Sequence, residues 1–212
     1  MWKKLWKFFF ISQVFILLGC VPMAVPPPAY QSVELSLPEV LSIAGGGLDS
    51  IKAEVNINIE KDEASYDIGG LISLKRPDWL HLKLYNFGMV VFDLTIKGDM
   101  VSSSRPDMPH SRFKELGMEL YRSIFWFEGL ENADMRRHET GYIIVTPDRE
   151  IHIDRATLLP KSQKVILNDR TIDIFYEEPM SEGNLWYPSV IKINTGKYKF
   201  TLTFKKFFLN PA

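Results

Sequence analysis

From Ile51 to Glu60 apolar and polar residues alternate without a break. Ile51, Ala53, Val55, Ile57 and Ile59 fall on one side, Lys52, Glu54, Asn56, Asn58 and Glu60 on the other. A period of two sustained this long is that of a strand with one buried and one wet face. The polar stretch 61–65 is a turn. Beyond it Tyr66, Ile68, Gly70, Ile72 and Leu74 alternate again, up to Arg76-Pro77-Asp78. Proline there removes a backbone donor and ends the strand. Leu80, Leu82 and Leu84 predict a third strand, and Val90, Phe92, Leu94 and Ile96 a fourth, joined through Asn86-Phe87-Gly88. Connections this short require antiparallel pairing, so residues 51–99 read as a meander.

The same pattern organises the rest of the chain. Ser36-Leu37-Pro38-Glu39 has the form of a helix start: serine as N-cap, proline early, and glutamate three residues on to close a capping box. Val40, Leu41 and Ala44 supply its apolar stripe, and Gly45-Gly46-Gly47 ends it. A fifth strand is expected over 100–103. A second helix is expected over 112–127, with Phe113, Leu116, Leu120, Ile124 and Phe127 at helical spacing. The run Phe125-Trp126-Phe127 is apolar enough that this helix should be buried on more than one side, as plain core or as the wall of a ligand pocket. From Gly141 onward strands resume over 142–146, 150–156, 163–167, 171–177, 185–194 and 197–207. The reading is a mainly β protein of about eleven strands, well above the ordinary strand content, with residues 34–212 as a single domain.

The N-terminus differs in kind. Lys3, Lys4 and Lys7 precede an apolar run over 8–18 that is short for a bilayer span, and Ser12, Gln13 and Pro22 interrupt any longer one. The run ends in Leu17-Leu18-Gly19-Cys20, which resembles a bacterial lipobox. Residues 1–19 are therefore expected to be a lipoprotein signal peptide. Cys20 would be the acylated (palmitate-bearing) first residue of the mature chain, an anchor in membrane lipid; an uncleaved anchor is the alternative. Cys20 is the single cysteine, so no disulfide competes for it. Val21 rather than aspartate after Cys20 resembles the choice that sorts lipoproteins to the outer membrane. Pro22, Pro26, Pro27 and Pro28 make 20–33 a semi-rigid extended tether.

Charge narrows the partners. Removing residues 1–19 takes three lysines, leaving 22 basic against 26 acidic residues, a net −4. A mildly acidic domain is a poor match for nucleic acid. The sequence also assembles no catalytic or metal site. His81, His110, His138 and His152 lack metal-ligand spacing, although His138-Glu139 and His152-x-Asp154 lie where a hairpin would bring them near each other. There is no Gly-x-Ser-x-Gly elbow, and Gly45-Gly46-Gly47 lacks the lysine and hydroxyl of a phosphate loop. A non-enzyme without cofactor is expected.

The segment Gly69-Gly70-Leu71-Ile72-Ser73-Leu74-Lys75-Arg76-Pro77-Asp78-Trp79, and after it Asn86-Phe87-Gly88 leading into the strand at Val90, resembles LolA/LolB-like proteins. That resemblance implies an unclosed, strongly curved antiparallel half-barrel around short helices, with acyl chains on its concave apolar face. A lipidated chain is similar in topology to the receptor member, which takes lipoprotein cargo from a periplasmic carrier protein at the outer membrane. Val55, Ile57, Ile72, Leu82, Phe92 and Leu94, on the apolar faces of consecutive strands, are the candidate cavity lining. A filled core has the same pattern. The receptor also carries an exposed apolar residue between its third and fourth strands, which makes Phe87 and Met89 candidates for contact with membrane or cargo. The preferred expectation from sequence is a buried Phe87. The reading from another class is a structural lipoprotein that docks on an outer-membrane complex through a free sheet edge.

Overall fold

The computed structural model describes residues 34–105, 109–167, 170–182 and 185–210. The expected signal peptide, Cys20 and the tether lie outside the described residues. A short helix, α1 (Leu37–Gly45), leads into five strands: β1 (Ser50–Lys61), β2 (Ala64–Lys75), β3 (Trp79–Asn86), β4 (Met89–Lys97) and β5 (Met100–Ser103). Helix α2 (His110–Ile124) follows. Then come β6 (Asp134–His138), β7 (Gly141–Thr146), β8 (Arg149–Asp154), β9 (Pro160–Leu167), β10 (Arg170–Glu182), β11 (Leu185–Asn194) and β12 (Lys199–Leu209).

All twelve strands form one antiparallel sheet in the order β5-β4-β3-β2-β1-β12-β11-β10-β9-β8-β7-β6. Each half is a meander, as the short turns require. The halves are joined by β1 against β12, from Ile51 opposite Leu209 to Glu60 opposite Lys199. Strands β5 and β6 stand at the two ends of the order, and among the described residues they do not pair with each other, so the curved sheet stays open. Between them the chain leaves the sheet to make α2, which lies across the concave face. Apolar residues of both halves and both helices fall into one core cluster.

The capping box forms as the sequence implies: the Ser36 N–H donates to Glu39 Oε2 at 2.7 Å and the Ser36 hydroxyl at 2.6 Å. These bonds hold the Glu39 carboxyl below its usual range. At the far end, Asn210 clamps the link between α1 and β1. Its Oδ1 accepts from the N–H groups of Asp49 (2.9 Å) and Ser50 (3.0 Å), and its Nδ2 donates to the Gly47 carbonyl.

The described residues hold twelve strands, in keeping with the about eleven expected; the one the pattern does not reveal is β6 (Asp-Met-Arg-Arg-His), which has no alternating apolar set and reads as loop. Two expectations are corrected. Helix α2 ends at Ile124, so Phe125, Trp126 and Phe127 belong to the turn after it. Within α2 the buried line runs Phe113, Gly117, Tyr121, while Leu116 is 41% exposed. The expected stripe was phased on Leu116. The real one passes through Gly117, where the helix comes close enough to β4 that an added Cβ would strike Ile96.

Candidate functional site

The six residues proposed to line a cavity do share the concave face. Val55, Ile57, Ile72 and Leu94 are buried, and Leu82 and Phe92 are partly buried against the core. Register explains the grouping: Ile72 lies opposite Leu82, Leu82 opposite Leu94, and Leu84 opposite Phe92. Helix α2 occupies the space above β4 with Phe113, whose ring centroid is 5.4 Å from that of Phe92. Gly70 leaves no void either, since Val55, Leu84 and the Lys83 carbonyl stand 3.1–3.2 Å from where its Cβ would be.

One open space lies mostly against the other half of the sheet, with Ile51 of β1 at its border, and none of the six lines it. It is a cavity of about 120 Å³ beneath α1. Ile43 and Ala44 of α1, with Leu48, form its roof; Tyr176, Ile191, Phe204 and Phe207 of β10–β12 form its floor. Trp126 and Phe127 close one side, Leu158 and the Trp186–Pro188 stretch the others. Of the two readings of the aromatic run, plain core and pocket wall, Phe125 fits the first, while Trp126 and Phe127 belong to the core and also line the cavity, from the turn rather than the helix. The wall is rigid. Tyr187 stacks on Phe207 at 3.9 Å and 12°, and Phe207 meets Phe204 edge-on at 5.4 Å and 89°.

A thin polar layer braces the cavity from behind. The buried Tyr176 hydroxyl donates to the Ser123 carbonyl at 2.9 Å and also meets the Gln163 side-chain amide at 3.1 Å. Burial pushes its phenol far up, so Tyr176 stays neutral. Beside it, buried Arg149 faces buried Glu119 at 3.5 Å, and Arg122 reaches Glu119 from the surface at 3.3 Å. Burial depresses the Arg149 guanidinium, while Glu119 favours its charge. Sequence reading missed Arg149, Gln163 and Glu119. The signal was phase: Arg149 is in register with inward Ile151 and Ile153, and Gln163 with Val165.

The turn after β8 shapes another wall. Asp154 Oδ1 accepts from the N–H groups of Ala156 and Thr157, both at 2.9 Å, and its Oδ2 meets Lys161 Nζ at 2.7 Å. Desolvation raises the Asp154 carboxyl, but the bonds from Lys161 and Thr157 outweigh it and leave the group below its usual range. This scaffold holds Leu158 at φ 56°, a left-handed backbone unfavourable for leucine, with the side chain buried in the cavity wall.

Outside the sheet, the β3–β4 tip overturns the preferred expectation. Phe87 is 95% exposed and Met89 67% exposed, with Val90 and Val91 continuing the apolar patch. Phe87 and Gly88 have φ of 48° and 79°, the pair of positive values that a two-residue primed hairpin turn needs. The two-residue turn lies past the last strand pair, Asn86 opposite Met89, so the Phe87 side chain projects beyond the sheet and away from the core.

The histidines do not assemble. His81 pairs with Asp93 at 3.0 Å, and His152 meets Glu150 at 2.7 Å rather than Asp154. No group of three His, Cys, Asp or Glu among the described residues could hold a metal. Among those residues no helix is long and apolar enough to cross a membrane.

No family model matches the sequence, and no curated protein matches it. Solved structures do match the fold. A LolA superfamily protein of Nitrosomonas europaea superposes with a TM-score of 0.62 at 11% identity, over 84% of this chain and 96% of that one. A DUF1329 family protein of Desulfovibrio piger gives 0.55 at 9%, over 83% and 91%. A Vibrio parahaemolyticus domain named for outer membrane lipoprotein sorting gives 0.53 at 7%, over 83% and 92%. The chain has a LolA/LolB-like fold.

Proposed function

We propose that this protein is a lipid-anchored component of the cell envelope that binds acyl chains or lipidated cargo, and that it faces the periplasm from the outer membrane. The observation that carries the reading is the aromatic and aliphatic cavity beneath α1, enclosed by a LolA/LolB-like sheet. Ligand pockets are typically concave, mostly apolar and supplied with a few fixed polar groups; here those are Ser123, Thr157 and Tyr176. The name of the Vibrio domain points the same way. Acylated Cys20 supplies the anchor, the stretch 20–33 the reach, and a periplasmic carrier protein is the partner that would deliver cargo. The protein acts by binding and transfer, without chemistry of its own.

The exposed tip at Phe87 and Met89 favours a receptor over a plain binding protein. A left-handed position suits glycine or asparagine better than phenylalanine, and full exposure gains nothing from an aromatic ring. Contact with the bilayer or with cargo gives the side chain a use. The docking alternative, by strand addition, finds less support. Edge strand β5 has four residues, and edge strand β6 carries exposed Arg136 and Arg137, features that blunt an edge against pairing.

The test is uptake of a fluorescent fatty acid and of a lipopeptide by the folded protein, with displacement by unlabelled ligand. Saturable binding is the expected result. A folded protein that takes up neither would overturn the carrier reading, and stable co-purification with an integral membrane complex would then favour docking.

A further inference from the structure

The cavity beneath α1 is small for the ligand proposed. Its volume of about 120 Å³ is close to the roughly 150 Å³ that accommodates one benzene molecule. That admits the end of an acyl chain but not the whole of one. A second, more open space of about 440 Å³ lies along the other side of α1, bordered by Pro38, Leu41, Gly45 and Gly46. The lining sets of the two spaces have one residue in common, Phe127.

The Phe127 ring is buried and held edge-on by its neighbours, at 6.0 Å and 83° to Phe125 and at 5.8 Å and 80° to Trp126. Opposite it stands Gly45, where an added Cβ would come within 2.8 Å of the ring. Helix α1 thus approaches the ring as closely as a residue without a side chain allows. The two spaces also differ in character. The inner one is walled chiefly by aliphatic and aromatic groups, whereas Ser42, Arg76, Glu128 and Glu131 border the outer one.

We propose that Phe127 is a specificity-determining residue, the partition that sets how long a chain the protein accepts. This rests on the acyl-chain reading above. With the ring in place the inner cavity takes only a chain's end. With the ring displaced the two spaces join, and a single-chain amphiphile lies with its tip in the inner cavity and its polar end among the charged groups of the outer one.

The experiment competes a series of saturated fatty acids, from octanoate to stearate, against a fluorescent fatty acid on the full-length chain. Phe127→Ala removes the partition; Phe127→Leu shrinks it while keeping the core apolar, in case the alanine variant does not fold. Gly45→Ala presses on the ring from the helix side. Circular dichroism establishes that each variant is folded. Opening the partition is expected to raise affinity for stearate relative to octanoate by about tenfold, and Gly45→Ala to lower it. If the wild-type protein and the folded variants all bind but rank the chain lengths alike, the partition is overturned and the cavity reading stands. If the folded wild-type protein binds no member of the series, the cavity reading fails, and the partition with it.

Discussion

Gly141 shows how much one residue decides. It opens β7 opposite Asp154, and an added Cβ there would collide with the backbone carbonyl of Ile153 and approach the backbone N of Arg155. Backbone held in a sheet cannot turn aside as a side chain can. Gly141→Ala is therefore expected to cost about 3 kcal/mol, lowering Tm by about 6–12 °C. Gly117→Ala is the control: its Cβ would strike only the end of the Ile96 side chain, and alanine is the better helix former, so a loss under about 1 kcal/mol is expected. Thermal melts of the two variants check the contrast, and equal losses would refute it. Other residues were legible only in part. The alternation of Ile151 and Ile153 extends back to Arg149, but a charged side chain at an inward position reads as the end of a strand until Glu119 is seen across from it.

At the scale of elements, strands with one clean apolar face were readable from their period, and those without one were not. Strands β1 to β4 fall where the alternation puts them; β6, with Met135 as its one apolar residue, gives no such signal and is held by pairing with β7. The end of α2 was hidden for the opposite reason. Phe125-Trp126-Phe127 is apolar at every position, so nothing in its pattern separates a helix from a buried turn. The turn after β8 illustrates a connection built by hydrogen bonds instead of burial, and it carries a pH dependence. Asp154 titrates below its ordinary value in the folded protein. Its contribution to stability is therefore full above the unfolded carboxylate range, near pH 4, and is lost as pH falls through the folded value. Asp154→Asn removes the charge facing Lys161 and is expected to cost about 1 kcal/mol at neutral pH, or about 2–4 °C in Tm. The gap between variant and wild type should close as pH falls below about 4. A gap that stays constant down to pH 2 would show that the Asp154 charge does not hold the turn.

For the whole molecule, the open, curved sheet and its antiparallel order follow from strand periods and short turns together with the LolA/LolB resemblance, but the position of the cavity does not. Strands in both halves of the sheet offer apolar residues to the core. Which part stays open depends on where α2 lies, and it covers β4, while α1 roofs the β10–β12 side. That arrangement places the cavity beneath α1 and the Phe87 tip in different parts of the sheet, so under the proposed function uptake and membrane contact would be borne by different strands. Burying one large apolar side chain is worth about 1.5–3 kcal/mol, enough to bias contact with a bilayer and far too little to hold a protein there. Under the proposed function, retention falls to acylated Cys20 and delivery to the tip, and the two should separate by mutation. Cys20→Ser is expected to release the protein from membranes, or leave it unprocessed, with ligand uptake intact. Phe87→Ser with Met89→Ser is expected to leave Tm within about 1 °C, since neither side chain packs on the core, and to slow ligand transfer to vesicles severalfold. Fractionation follows the first variant and a fluorescence transfer assay the second. Transfer at the wild-type rate from the double variant would remove the receptor role from the tip and leave a binding protein that happens to be tethered.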